Sequence, residues 1–141
     1  MTVVSATICA VIAASFIHYE GLAWINRSLA RVGHQNRRSV LYAIMALIAL
    51  HIIEIWVFGV GYHVLLFWPA TGHINGASDN IFDYIYFSAT VFTTIGFGDL
   101  LPIGPIRFLA GTEALTGFVL IGWSASFTYL KMEHLWKSHD W

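Results

Sequence analysis

Three apolar runs, each long enough to cross a bilayer, dictate what this chain can become. A hydrocarbon core about 30 Å thick takes roughly 20 helical residues, and Val3–Ile25, Val40–Trp68 and Ile103–Leu130 all reach that length. Composition points the same way. Of 141 residues, 57% are hydrophobic and 11% charged, against about 25% charged in an average soluble domain, and the mean hydropathy is +0.68. No water-soluble core of this size hides so much apolar surface. Lipid leaves backbone amides no partner outside a helix or a closed barrel, and runs of this length fit helices. The expected fold class is an all-α membrane protein with three transmembrane helices.

The basic residues orient the spans. Arg27, Arg31, Arg37 and Arg38 separate the first two runs, and Lys131 and Lys137 sit at the end of the third. The excess of Lys and Arg in cytoplasmic loops places both clusters inside, with the N-terminus and "PATGHINGASDN" outside and the C-terminus cytoplasmic. A multi-pass protein of the plasma membrane, of the bacterial inner-membrane kind, is expected. Trp24, Trp136 and Trp141 suit the inner interface, and Tyr62 and Trp68 the outer one. This orientation closes only if Ile81–Leu101 enters and leaves on the outer face. Asn80 suits an N-cap, with Asp83 at N3. The following "IFDYIYFSATVFT" makes about 20 Å of helix, enough to reach mid-membrane and no further.

That short helix runs into "TIGFGDLLP", which cannot continue it. Non-helical backbone at membrane depth is tolerated only against protein or a water-filled path. Gly96 and Gly98, at alternate positions, accept positive φ without a Cβ penalty. Successive carbonyls can then point to one axis while Ile95 and Phe97 point away and wedge the strand. One strand offers one oxygen per level, so rings that replace a cation's hydration shell need four copies. A four-fold homotetramer is expected, with the Thr94 hydroxyl as its lowest ring. The short helix also directs its negative C-terminal dipole end to that axis. Asp99 would ring the outer mouth with carboxylates that concentrate cations.

"TTIGFGDLLP" resembles the pore signature of potassium channels, Thr-(Val/Ile)-Gly-(Tyr/Phe)-Gly-Asp with a proline three residues on. The resemblance covers roughly Ile81 to Leu130 and is especially similar to pore loops of two-pore-domain channels, although this chain has one loop. It implies a potassium-selective channel in which Thr94, Ile95, Gly96, Phe97 and Gly98 coordinate K+ ions. Three departures stand out. Phe97 replaces the commoner tyrosine and its bracing hydroxyl. Tyr86 and Phe87 stand where many members carry two tryptophans. Thr90 stands where some carry glutamate, so no glutamate clasp on Asp99 is expected.

In the third span, Gly117 and Gly122 suit either a hinge or close helix packing. Phe127 suits a hydrophobic constriction, with Ser124 and Ser126 facing a lower vestibule. Glu113 is costly within a span. It is expected to be buried behind the filter, bonded to Ser88, Thr90 or backbone amides, and with Thr90 to support the filter; direct cation attraction is the alternative.

The first span adds a small-residue face, Ala6, Ala10 and Ala14, suited to close helix contact. His51 and Glu54 share a helix face. His18, roughly 12 Å deep, lies near enough to His51, roughly 18 Å deep, to meet it if the helices pack, while Glu20 points elsewhere. His18, His51 and Glu54 could bind a divalent metal or titrate near neutral pH, or serve only as hydrogen-bonded glue.

Residues 1–38 are thus expected to be an accessory helix with a basic loop, 39–132 a pore domain and 133–141 a cytoplasmic tail. The expected function is passive K+ conduction, without enzymatic activity. Its partners would be copies of itself and membrane lipid, with no nucleic acid. A weakly selective cation channel is the nearest alternative. A non-conducting His/Glu protein binding metal or protons is the alternative from another class.

Overall fold

The computed structural model describes residues 2–32, 37–78 and 80–138. The side chains of Arg31, Arg37, Trp136, Lys137 and Trp141 lie outside what is described. Thr2–Val32 forms α1, Arg37–Leu65 α2, Ile81–Phe92 α3 and Arg107–Ser138 α4. The 31, 29 and 32 residues of α1, α2 and α4 make helices of about 44–48 Å. Each exceeds the hydrocarbon thickness, and each holds a segment apolar enough to cross it: Thr2–Ala30, Arg38–Leu65 and Arg107–Glu133. The 12 residues of α3 reach only about 18 Å. The chain is an all-α membrane protein, as its hydropathy requires.

Three of the boundaries that differ from the expected ones have a local reason. α1 continues past Ile25 because Leu29 is buried against Ala43 and Leu47 of α2, so apolar contact outlasts the first basic residue. α2 stops at Leu65, where the Thr71 hydroxyl donates to the carbonyls of Leu65 (2.8 Å) and Trp68 (2.7 Å) and Pro69 opens a 3-10 turn. α4 starts at Arg107 rather than Ile103, because Leu101–Ile103 forms a strand, β2.

This strand pairs antiparallel with β1, His73–Asn75, in the register His73↔Ile103, Ile74↔Pro102 and Asn75↔Leu101. The expected external loop therefore contains a strand. Three residues carry too little alternation to announce one. Pro102, with no N–H to give a ladder, occupies the middle pair.

The start of α3 is locally encoded. Asn80 Oδ1 accepts the Phe82 amide at 3.0 Å, satisfying one of the orphan donors of a helix N-terminus. The Ser78 hydroxyl (2.5 Å) and amide (2.7 Å) both donate to Asp83 Oδ2 and hold this carboxyl below the usual aspartate range.

α3 lies between α2 and α4. Phe58 and Tyr62 of α2, Phe87 and Phe92 of α3, and Leu109 and Leu120 of α4 bury one another. Tyr62 is thus a core residue, correcting the expected place at the outer interface, whereas Trp68 is exposed. α1 packs along α2 and α4 through Thr7, Ala14, His18 and Leu22, with Ala6 and Ala10 against the same core. Ile12, Phe16, Ile48, Ile52, Leu115 and Phe118 are exposed outward, a continuous apolar exterior that suits lipid or another subunit.

The α3–α4 contact packs tightly at Gly117. A Cβ there would lie 2.1 Å from the Phe92 carbonyl oxygen, whereas one at Gly122 meets nothing within 4 Å. Gly117 lets the end of α3 sit on α4. Gly117→Ala is expected to destabilise the fold by about 1–3 kcal/mol through overpacking, seen as a lowered melting temperature in detergent. Gly122→Ala should leave it unchanged or raise it.

Candidate functional site: the loop after α3 and the buried groups behind it

The loop from Thr93 to Asp99 is tied to the last turn of α3. The Thr93 hydroxyl donates to the Ala89 carbonyl at 2.7 Å. The amide of Thr94 donates to Val91 O at 2.9 Å, and that of Gly96 to Thr90 O at 3.1 Å. Thr90 therefore supports the loop through its main-chain carbonyl. Its hydroxyl turns back to Phe87 O, 2.8 Å away, and not to Glu113.

Positive φ recurs at every second residue: +60° at Thr94, +52° at Gly96 and +82° at Gly98. The two glycines adopt it freely. Thr94 does not, because a β-branched residue there is strained; sequence gave no sign of this. Ile95 and Phe97 are 60% and 69% exposed, so neither is seated against the rest of the chain.

Asp99 is not left loose. The Tyr86 hydroxyl donates to Asp99 Oδ2 at 2.9 Å, and this bond to a carboxylate holds the phenol protonated to higher pH than usual. No glutamate clasp was expected, and a tyrosine supplies a clasp instead. It ties the outer end of the loop to α3 although Phe97 lacks a hydroxyl.

Behind the loop, Glu113 is fully buried. Tyr62 of α2 donates to one of its oxygens, and Ser88 of α3 contacts the other. Ser88 Oγ also lies 2.9 Å from Ile55 O. One carboxyl thus links three helices, four residues from Gly117. The Ser88 partner was expected and the Tyr62 partner was not, because Tyr62 looked like an interfacial anchor.

A second buried cluster joins α1 to α2. His18 Nδ1 lies 2.8 Å from Glu54 Oε1, and His51 Nδ1 lies 2.8 Å from Glu54 Oε2. The two imidazole rings stack at 5.4 Å. Glu20 faces away and sits 4.0 Å from Arg27.

Lower on α4, Ser124 is buried among the helices rather than facing a vestibule. Ser126 is exposed and bonds Gly122 O at 3.0 Å. Phe127 packs against the α1–α2 cluster of Leu22, Ile25 and Leu29, with Lys131 Nζ 5.4 Å from its ring centre. Its ring is partly buried against the chain's own helices.

Glu113→Gln keeps an acceptor for Tyr62 and offers Ser88 a donor, while Ser88 can donate to Ile55 O. It should change the melting temperature little. Glu113→Ala orphans the buried Tyr62 hydroxyl and opens a cavity, with a loss of about 2–5 kcal/mol. Equal losses in both variants would show that charge, not hydrogen bonding, is what the site uses. Tyr86→Phe removes only the bond to Asp99. It should leave the melting temperature in detergent little changed, as one exposed hydrogen bond contributes little, and a large drop would show that more of the fold rests on this hydroxyl.

Comparison with curated proteins and with solved structures returned no match. The profile of a family described as "Ion channel" matches residues 50–133, more than half of the chain. The match runs from within α2 through α3 and the loop to the lower part of α4, and leaves out α1. The chain belongs to this ion-channel family, the potassium-channel pore family that its loop motif resembles.

Proposed function

We propose that the protein is the subunit of a homotetrameric, potassium-selective channel whose ion ligands are the carbonyls of Thr94, Ile95, Gly96, Phe97 and Gly98 with the Thr94 hydroxyl. The observation that carries this reading is the alternation of positive φ at Thr94, Gly96 and Gly98. Alternating handedness turns successive carbonyls of a strand to one side, which a row of dehydrated-cation sites requires.

The exposure of Ile95 and Phe97 supports the four-fold assembly. Side chains at that depth need an apolar neighbour, and an adjacent copy is the available one. The short helix α3 aims the negative end of its dipole below the loop. Asp99, held by Tyr86, places carboxylates around the outer mouth. Lys and Arg between α1 and α2 and at the end of α4 favour a cytoplasmic C-terminus and an external N-terminus.

Reconstituted vesicles with opposed potassium and sodium gradients test the reading. A potassium flux that barium blocks and sodium cannot replace is the expected outcome. Comparable fluxes of the two ions would favour a weakly selective pore, and no flux would sink the channel reading for this chain. Gly96→Ala forces an L side chain into the left-handed region, at about 1–2 kcal/mol per residue, four times around the axis. It should abolish the flux, and retained selective current would remove Gly96 from the ion path.

A further inference from the structure

We propose that His18, His51 and Glu54 form a binding site for a divalent transition-metal ion of the zinc type, set between α1 and α2 within the membrane. Two imidazoles and one carboxylate are a recurrent donor set for such ions, with a further position left for water. Each residue offers one ligand atom, and the three lie within 4.8 Å of one another. Bonds of about 2.0–2.2 Å set ligand atoms about 3.3 Å apart around a tetrahedral ion. The 2.8 Å contacts, one to each Glu54 oxygen, therefore need to open by about half an ångström, and the widest separation, up to 4.8 Å, needs to close by about 1.5 Å through ring and carboxylate rotation.

Charge and hydrogen bonding favour an ion over plain helix glue. Glu54 is fully buried, and among the described residues its partners are the two histidines, with no Lys or Arg paired to it. If both rings only donate as neutral imidazoles, a net negative charge stays buried, which is costly. A positive charge on His51, 18% exposed, would neutralise Glu54 but leave His18 Nε2 without a partner, and placing the charge on His18 is costly. His18 is fully buried and its Nε2 has no hydrogen-bond partner, so an imidazolium would bury a charged, unpaired N–H. A metal on Nδ1 puts the charge beside Glu54 instead. It leaves Nε2 as a neutral N–H on a ring 5.3 Å from the Trp123 indole, an electron-rich neighbour. The His51 side chain is 18% exposed, which gives an ion a way in.

The position suggests what the ion does. The His51 ring lies 5.9 Å from that of Phe92, the last residue of α3 and two residues before Thr94. An ion bound there clamps α1 to α2 directly behind the base of the loop. This regulatory consequence rests on the channel reading, whereas binding itself does not, so the test reads binding.

Full-length protein in detergent, stripped with a chelator, is dialysed against buffered free zinc and its metal content measured, with zinc X-ray absorption recorded on the loaded wild type. One zinc per chain is expected, with two imidazole nitrogens at about 2.0–2.1 Å and carboxylate oxygen at about 2.0–2.2 Å. His51→Ala and Glu54→Gln should each weaken binding at least about tenfold, and His73→Ala, at an exposed position of β1, should not. His51→Gln replaces His51→Ala if the latter fails to fold. Folded wild type without stoichiometric zinc, a spectrum lacking two imidazoles, or wild-type affinity in a His51 variant would each overturn the assignment.

Discussion

The pore region depends on how a chain can bury a short helix between two long ones inside lipid. α3 has polar side chains facing protein, and each must find a partner where water cannot supply one. Glu113 meets that need for two elements together, taking Tyr62 from α2 and Ser88 from α3. An apolar contact between helices can slide by a turn at modest cost. A buried carboxyl with two directional partners cannot slide without orphaning both. The register set there brings the Phe92 carbonyl onto Gly117, and that contact places the loop, which hangs from the carbonyls of Ala89, Thr90 and Val91.

The loop's own order comes from its two ends. At the inner end, main-chain bonds continue the helix into the turn. At the outer end, Tyr86 holds Asp99. Between them positive φ alternates at a strained threonine and two glycines, and Ile95 and Phe97 are exposed, so the strand is shaped chiefly by its anchorage. Such an arrangement suits the four-fold ion path proposed for it.

α1 repeats the device of a buried carboxyl linking helices, with different chemistry. Glu54 joins α1 to α2 through two histidines, and the His51 ring, stacked on that of His18, abuts Phe92. α1 lies outside the residues that match the ion-channel profile, yet it is packed onto the pore helices by a polar cluster rather than by small-residue contacts alone. The metal site proposed there would make the grip of α1 on these helices depend on its ligand.

Much of this was legible in the chain itself. Apolar run length determined the three spans, Asn80 and Asp83 the start of α3, and the spacing of Gly96 and Gly98 the course of the loop, because each is a local rule acting over a few residues. Glu113 and the His18–His51–Glu54 group were also visible as polar residues that a span cannot carry without a purpose. Their partners were not all visible. Tyr62 read as an interfacial anchor because its depth and its neighbour on α4, 51 residues away, are set by packing. Pairing of β1 with β2, the clasp of Tyr86 on Asp99, the packing role of Gly117 and the burial of Ser124 were likewise decided by tertiary structure. Each depends on which segments meet, and a linear pattern encodes what a segment can form more fully than what it will touch.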